Sequence, residues 1–395
     1  MPRCRRPEKS LSPPGRRKIG DLAAESGLRR IHMLAWRDLA DVEAAARRSM
    51  PPRSRRGAEA GIEVTMRTSY AQGSPPETSR DGYRVVRKAG RYLVFPRAVA
   101  AELAGRHGPR DGLVEIWNGV PFFSPLWARG PRVTWLHHVH EDMWPLVLPG
   151  RLARAGQLLE RRLAPPFYRR TQMVTLSDSS KGHIVERLRL PADHVHVVEP
   201  GIDPRYSPGG SRAVDPTVLA VGRLMPSKAF EVLIEAVQRV REHVPARLVI
   251  IGEGYARDEL EARVRDLDAE EWCELPGRVD DADLVDHYRR AWVVASASRS
   301  EGWGMTLTEA AACGTPAVAT RIPGHVDAVT HDGSGLLVDT GDELVDALRR
   351  VLTDHALRDR LGAGALRRAA QLTWDRTAYD TLAVLAATAS RRPRG

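Results

Sequence analysis

The chain has 395 residues, 42% hydrophobic, 28% charged and 6% aromatic, a globular composition with length for two or three domains that excludes a disordered tail or a collagen-like chain. Its net charge of +10 is uneven: residues 1–200 carry 35 Lys+Arg against 20 Asp+Glu, leaving 25 against 30 in the remainder. Such a basic first half suits nucleic acid, an anionic lipid surface or a phosphorylated substrate, and charge alone does not choose among them.

Three separated cysteines, Cys4, Cys273 and Cys313, fit neither a disulfide framework nor a metal cluster and imply a reducing, cytoplasmic compartment. No stretch approaches the roughly 20 apolar residues of a membrane span, and the basic start lacks the apolar run of a signal peptide.

In chain order, residues 1–28 read as a basic tail without fixed structure. Residues 29–200 form an α/β domain, with β-branched runs predicting strands at 31–35, 62–66, 113–116, 133–136 and 173–176. Prolines and glycines in 199–216 interrupt both periodicities and mark a linker. Residues 201–375 alternate strands (218–221, 247–251, 272–275, 292–295, 317–319, 335–338) with amphipathic helices (229–242, 256–267, 281–290), the pattern of a doubly wound parallel sheet. Residues 376–395 are a last helix and tail. The expected fold class is α/β, two Rossmann-like domains facing across a cleft, with functional residues in loops at the carboxyl ends of strands.

Arg223 and Lys228 follow the strand VLAVG in one loop that opens a helix, making an anion site suited to a diphosphate. The segment SRSEGWGMTLTEAAACGTPAVAT (298–320) carries more information. Gly302 and Gly304 flank Trp303 and allow close backbone approach, and Met305, Thr306 and Leu307 present N–H groups at a helix start where a phosphate fits. Glu301 and Glu309 bracket that turn and can accept hydrogen bonds from sugar hydroxyls. In the first half, RVTWL ends in HHVHEDMW, placing His137, His138 and His140 at a strand end with spacing poor for one shared metal ion, and no metal is expected.

With these motifs in place the second half, from about 199 to 351, resembles the nucleotide-sugar-binding domain of family 4 retaining glycosyltransferases, which have the GT-B fold. The resemblance rests on VGRL…K, the IGEG turn, PGRV at 276–279, the E-x7-E motif, ACGTPAVA, and DGSGLLV. It implies that Arg223 and Lys228 hold the donor diphosphate and that Glu309 takes the ribose hydroxyls. It further implies that Glu301 and the following backbone meet the transferred sugar, with Gly252 lining the site and the main chain at Arg278 and Val279 meeting the base. His137 matches the histidine beside the reacting sugar carbon, and LSDSSKGHIVERL resembles the family's Ser-x-x-x-Lys turn, with Ser177 capping a helix and Lys181 lining the cleft. Trp303 stands where Phe is commoner, His325 where Pro is frequent, and Asp327 in place of Glu.

The pattern breaks after the first strand, where the family carries a glycine-rich loop opening a helix. Here residues 44–57 bring Met50, two prolines and five arginines without an apolar face. A compensated reading-frame slip explains this, because codons permitted for AAARRSMPP and its neighbours let another frame spell GGSEVHAAEV; a divergent native loop is the alternative. The expected activity is transfer of a sugar from a nucleotide-diphosphate sugar to a sugar, lipid-linked or small-molecule acceptor, without cofactor. Peripheral contact with an anionic membrane is compatible, and no nucleic acid is expected. The alternatives are an epimerase or phosphorylase of the same fold, or a nonproductive relative binding anionic lipid or nucleic acid.

Overall fold

In the computed structural model, residues 16–37, 60–71, 73–80, 82–90, 92–140 and 144–390 are described. The anomalous segment 44–57 lies outside them. The first half supplies β1 (Arg30–Leu34), β2 (Glu63–Thr68), β3 (Glu77–Arg80), β4 (Tyr83–Arg87), β5 (Gly112–Trp117), β6 (Arg132–Leu136), β7 (Gln172–Thr175) and β8 (Val195–Val197). They form one sheet in the order β3-β4-β2-β1-β5-β6-β7-β8, parallel except for the β3–β4 hairpin at the edge.

The second half supplies β9 (Thr217–Val221), β10 (Arg247–Ile251), β11 (Cys273–Gly277), β12 (Val293–Ser296), β13 (Ala317–Thr320) and β14 (Gly335–Val338). Their order is β11-β10-β9-β12-β13-β14, all parallel. Helices cover both faces, so the central strands are buried throughout and read as continuous apolar runs, as in Leu248–Ile251. Strand order reverses at β9, and the crevice at that point is where a doubly wound sheet takes its ligand.

One expectation is corrected. Residues 1–28 are not all tail: Arg16–Ser26 is a helix, and Ile19, Ala23 and Leu28 are buried in the first domain's core. Ile19, Leu22 and Ala23 recur at helical spacing inside a basic segment, and packing on the last helix, Trp374–Ser390, gives them a partner. That last helix crosses back to the first domain, burying Leu382, Leu385 and Ala386 in the same core. Two chain passages therefore join the domains side by side: Ile202 N–H donates to Leu372 carbonyl at 3.0 Å, and Thr377 Oγ1 donates to Glu199 carbonyl at 2.7 Å. Among the described residues no helix is long and apolar enough to cross a membrane.

Candidate active site

The carboxyl ends of β9, β10 and β11 are zipped together by main chain. Gly222 N–H donates to Ile251 carbonyl at 3.0 Å, Leu224 N–H to Glu253 carbonyl at 2.9 Å, and Gly252 N–H to Gly277 carbonyl at 2.9 Å. Gly252 has φ +152°, and a β-carbon there would lie 1.8 Å from Gly222 oxygen, so only glycine lets the two loops touch. The VGRL, IGEG and PGRV motifs thus form one ledge. On it Arg223 and Arg278 are exposed, Lys228 and Val279 are half-buried, and Val279 packs against the core.

Lys228 ends a 3-10 turn, Pro226–Lys228, ahead of the helix Phe230–Arg241. Its ammonium donates to Glu301 Oε1, joining the β9 loop to the loop after β12. Ser298 Oγ donates to the same carboxylate oxygen at 2.9 Å. Beyond Glu301 the chain passes Gly302, buried Trp303 and Gly304 into the helix Met305–Ala312. Gly304 provides no capping side chain, so no side chain caps the first N–H groups of this helix, among them those of half-buried Met305 and Thr306, as a helix start able to receive an anion requires. Glu309, one turn further, is 1% exposed and accepts from Tyr288 OH at 2.9 Å. Trp303 Nε1 is buried without a hydrogen-bond partner among the described residues.

The first domain closes over this loop. A β-carbon at Gly302 would lie 3.2 Å from His138 Nδ1, so the ring facing the Glu301–Gly304 turn belongs to His138. His137, singled out by resemblance, has its ring 5.8 Å from that of Trp135, while its carbonyl accepts from Thr175 Oγ1 at 3.4 Å. His138 stacks on His140 with ring centroids 4.3 Å apart. Burial, and then the neighbouring His140 and His137, pull the His138 imidazole well below its ordinary range, so it is neutral at neutral pH. His140 in turn is fixed by Asn118 Oδ1 at 2.6 Å from Nε2.

Sequence reasoning missed how the helix Asp178–Leu188 grips the second domain. Ser177 caps it, accepting from Ser180 N–H at 3.0 Å, and Lys181 is half-buried. Ser179 Oγ donates to Asp327 and accepts from Gly324 N–H at 3.0 Å, and Ser180 Oγ donates to Gly302 carbonyl at 3.4 Å. Gly324 has φ +86°, and a β-carbon there would stand 2.6 Å from Glu301 oxygen. Next to it His325 is 1% exposed. Its Nδ1 lies 2.9 Å from Thr320 carbonyl, and Nε2 lies 3.3 Å from Ser296 Oγ, itself 3.1 Å from Ser298 Oγ. A hydroxyl chain therefore links His325 to Glu301. Burial lowers the His325 pKa against the attraction of Glu301. The glycine in PGHVD was the available sequence signal for this close approach; the hydroxyl chain had none.

The described group able to converge on a cation is elsewhere, at His32, Glu102 and His107. There Arg110 Nη1 already donates to Glu102 at 2.7 Å, supplying the positive charge.

The glycosyl transferases group 1 family matches residues 208–368, and Glycosyltransferase Family 4 matches residues 54–206. A D-inositol 3-phosphate glycosyltransferase of Xylanimonas cellulosilytica is 30% identical over 86% of this chain and 90% of its own length. The chain belongs to glycosyltransferase family 4. A second relative of that name, from Kineococcus radiotolerans, is 34% identical, covering 84% of this chain and 86% of the relative. Among solved structures, sucrose-phosphate synthase of Thermosynechococcus elongatus superposes with TM-score 0.74 at 18% identity, covering 89% of this chain and 97% of the other. Anabaena HepE in complex with UDP-glucose gives TM-score 0.68 at 16% identity, covering 90% of this chain and 98% of HepE. The fold is GT-B, and the family 4 protein is a glycosyltransferase; no relative named here is an epimerase or phosphorylase.

Proposed function

We propose that this glycosyltransferase takes its sugar from a nucleotide-diphosphate donor and transfers it with retention, without a metal ion or other cofactor. The observation that carries the reading is the convergence of Lys228, Glu301 and the Met305–Ala312 helix N-terminus on one turn, with His138 opposite. As the bond between the anomeric carbon and the diphosphate breaks, the leaving group gains negative charge. Arg223, Lys228 and the helix N–H groups are the positive elements that stabilise it. The acceptor hydroxyl attacks from the face the diphosphate leaves, its oxygen forming the new bond and its proton passing to a departing phosphate oxygen. Lys228 exchanges Glu301 for the diphosphate when donor enters, freeing the carboxylate to accept from a sugar hydroxyl. Glu309 has its second role on the ribose.

UDP is the first nucleotide to test, because HepE was solved with UDP-glucose. The named relatives add inositol 3-phosphate to the acceptor panel. Calorimetric titration with UDP- and GDP-sugars should give one strong binder, with Lys228→Ala and Glu309→Ala each costing about 1.5–3 kcal/mol of affinity through a lost charge-assisted contact. Unchanged affinity in both variants would overturn the donor site.

A further inference from the structure

The segment 150–170, GRLARAGQLLERRLAPPFYRR, holds six arginines and a single carboxylate, Glu160. It folds as the helix Gly150–Leu158, a π-helical turn Leu159–Leu163 and a short helix Pro165–Tyr168. Ala153, Gly156, Glu160, Ala164 and Tyr168 face inward. Outward stand Arg151, Arg154, Arg162, Arg169 and Arg170, all exposed, interleaved with Leu152, Leu158, Leu163 and Phe167 at 58%, 49%, 53% and 45% exposure. A solvated basic helix has no use for four large apolar side chains on its outer surface. Arginine mixed with leucine and phenylalanine is the composition of a helix lying in a bilayer interface.

The inner side of the same segment runs to the cleft. Glu160, buried within the π-helical turn, accepts His140 N–H at 3.0 Å and Trp144 Nε1–H at 3.0 Å. His140 stacks on His138, the ring facing Gly302. Gly156 seats against Trp144, where a β-carbon would be 2.6 Å from the indole. A π-helical turn of this kind recurs at functional positions, and here it joins the outer surface to the reaction cleft through two side chains.

We propose that this face seats on an anionic bilayer, with arginines on lipid phosphates and Leu158, Leu163 and Phe167 at the headgroup boundary, so that the cleft receives an acceptor carried by the bilayer. The charge would equally suit RNA, but the interleaved apolar side chains favour lipid. The acceptor clause rests on the transferase reading; the surface does not.

The test is sedimentation of the full-length protein with phosphatidylcholine vesicles, with and without phosphatidylglycerol. The protein should bind only the anionic vesicles, less as salt rises. Arg151→Glu combined with Arg154→Glu and Arg162→Glu should lower partition on the order of 100-fold, from about fivefold for each arginine. Leu158→Gln with Phe167→Ser, which leaves the charge unchanged, should lower it roughly tenfold. Absence of vesicle binding by the wild type, wild-type binding by both variants, or an RNA oligonucleotide bound more tightly than vesicles and unaffected by the apolar pair would overturn the proposal. UDP titration of the same variants separates the two readings. Vesicle loss with UDP affinity retained supports the surface, whereas a wild type that binds vesicles but no nucleotide defeats the transferase reading alone.

Discussion

At the end of β6 two histidines follow one another, and the turn sends them to different surroundings: His137 beside Trp135, His138 against Gly302 and His140. Family resemblance points to the first as the residue at the reacting carbon, while the geometry brings the second to the Glu301–Gly304 turn. A neutral imidazole there can exchange a hydrogen bond with a donor sugar hydroxyl in the transition state. His138→Ala should therefore lower kcat by about 10²–10³-fold with little change in UDP affinity, as expected for a contact made as the bond breaks. His137→Ala should cost mainly thermal stability. Steady-state kinetics and UDP titration of both variants decide between them, and the reverse outcome would return the role to His137.

Between elements, the joint that ties β1 to the helix Val94–Leu103 is a carboxylate. Glu102 accepts from His32 Nδ1 at 3.0 Å, His107 Nδ1 at 2.8 Å and Arg110 Nη1 at 2.7 Å. Burial alone would raise this carboxyl, but the hydrogen bonds from His107 and His32 and the charges of His32 and Arg110 outweigh it and hold the group at about 2. A carboxylate whose folded pKa lies below its unfolded value of about 4.3 stabilises the fold above that value, and the stabilisation is lost as pH falls toward 2. Its size is on the order of 3 kcal/mol. Urea midpoints at pH 6 and pH 3 should show wild type and Glu102→Gln far apart at the higher pH, with the gap cut to roughly half at the lower, where the folded-state carboxylate is still ionised. Such joints also mark where the sequence stops being legible. Strands β9, β10 and β12 to β14 are readable because buried parallel strands are apolar runs, and the glycine motifs because close approach requires glycine. The outer strand of the β3–β4 hairpin, ETSR, carries no apolar alternation. Ser179 finds Asp327 across 148 residues, a pairing that no local pattern encodes.

At the scale of the whole molecule, the last helix belongs to the domain that begins the chain. Leu382, Leu385 and Ala386 lie with Ile19, Ile31, Val64 and Trp135 in one core. Removing 374–395 should expose that face, at about 1.5–3 kcal/mol for each large side chain lost from the core. The truncated protein should lose cooperative unfolding in its first domain while the second, whose core is its own, still melts as a unit; calorimetry of both forms checks this. Because the helix Trp374–Ser390 completes the core around β1 and β2, the ribosome must finish the entire second domain before the first can close. The first domain therefore waits, incompletely covered and open to chaperones or to aggregation, until the helix Trp374–Ser390 emerges and binds it, so the cleft first exists only after the second domain has been made.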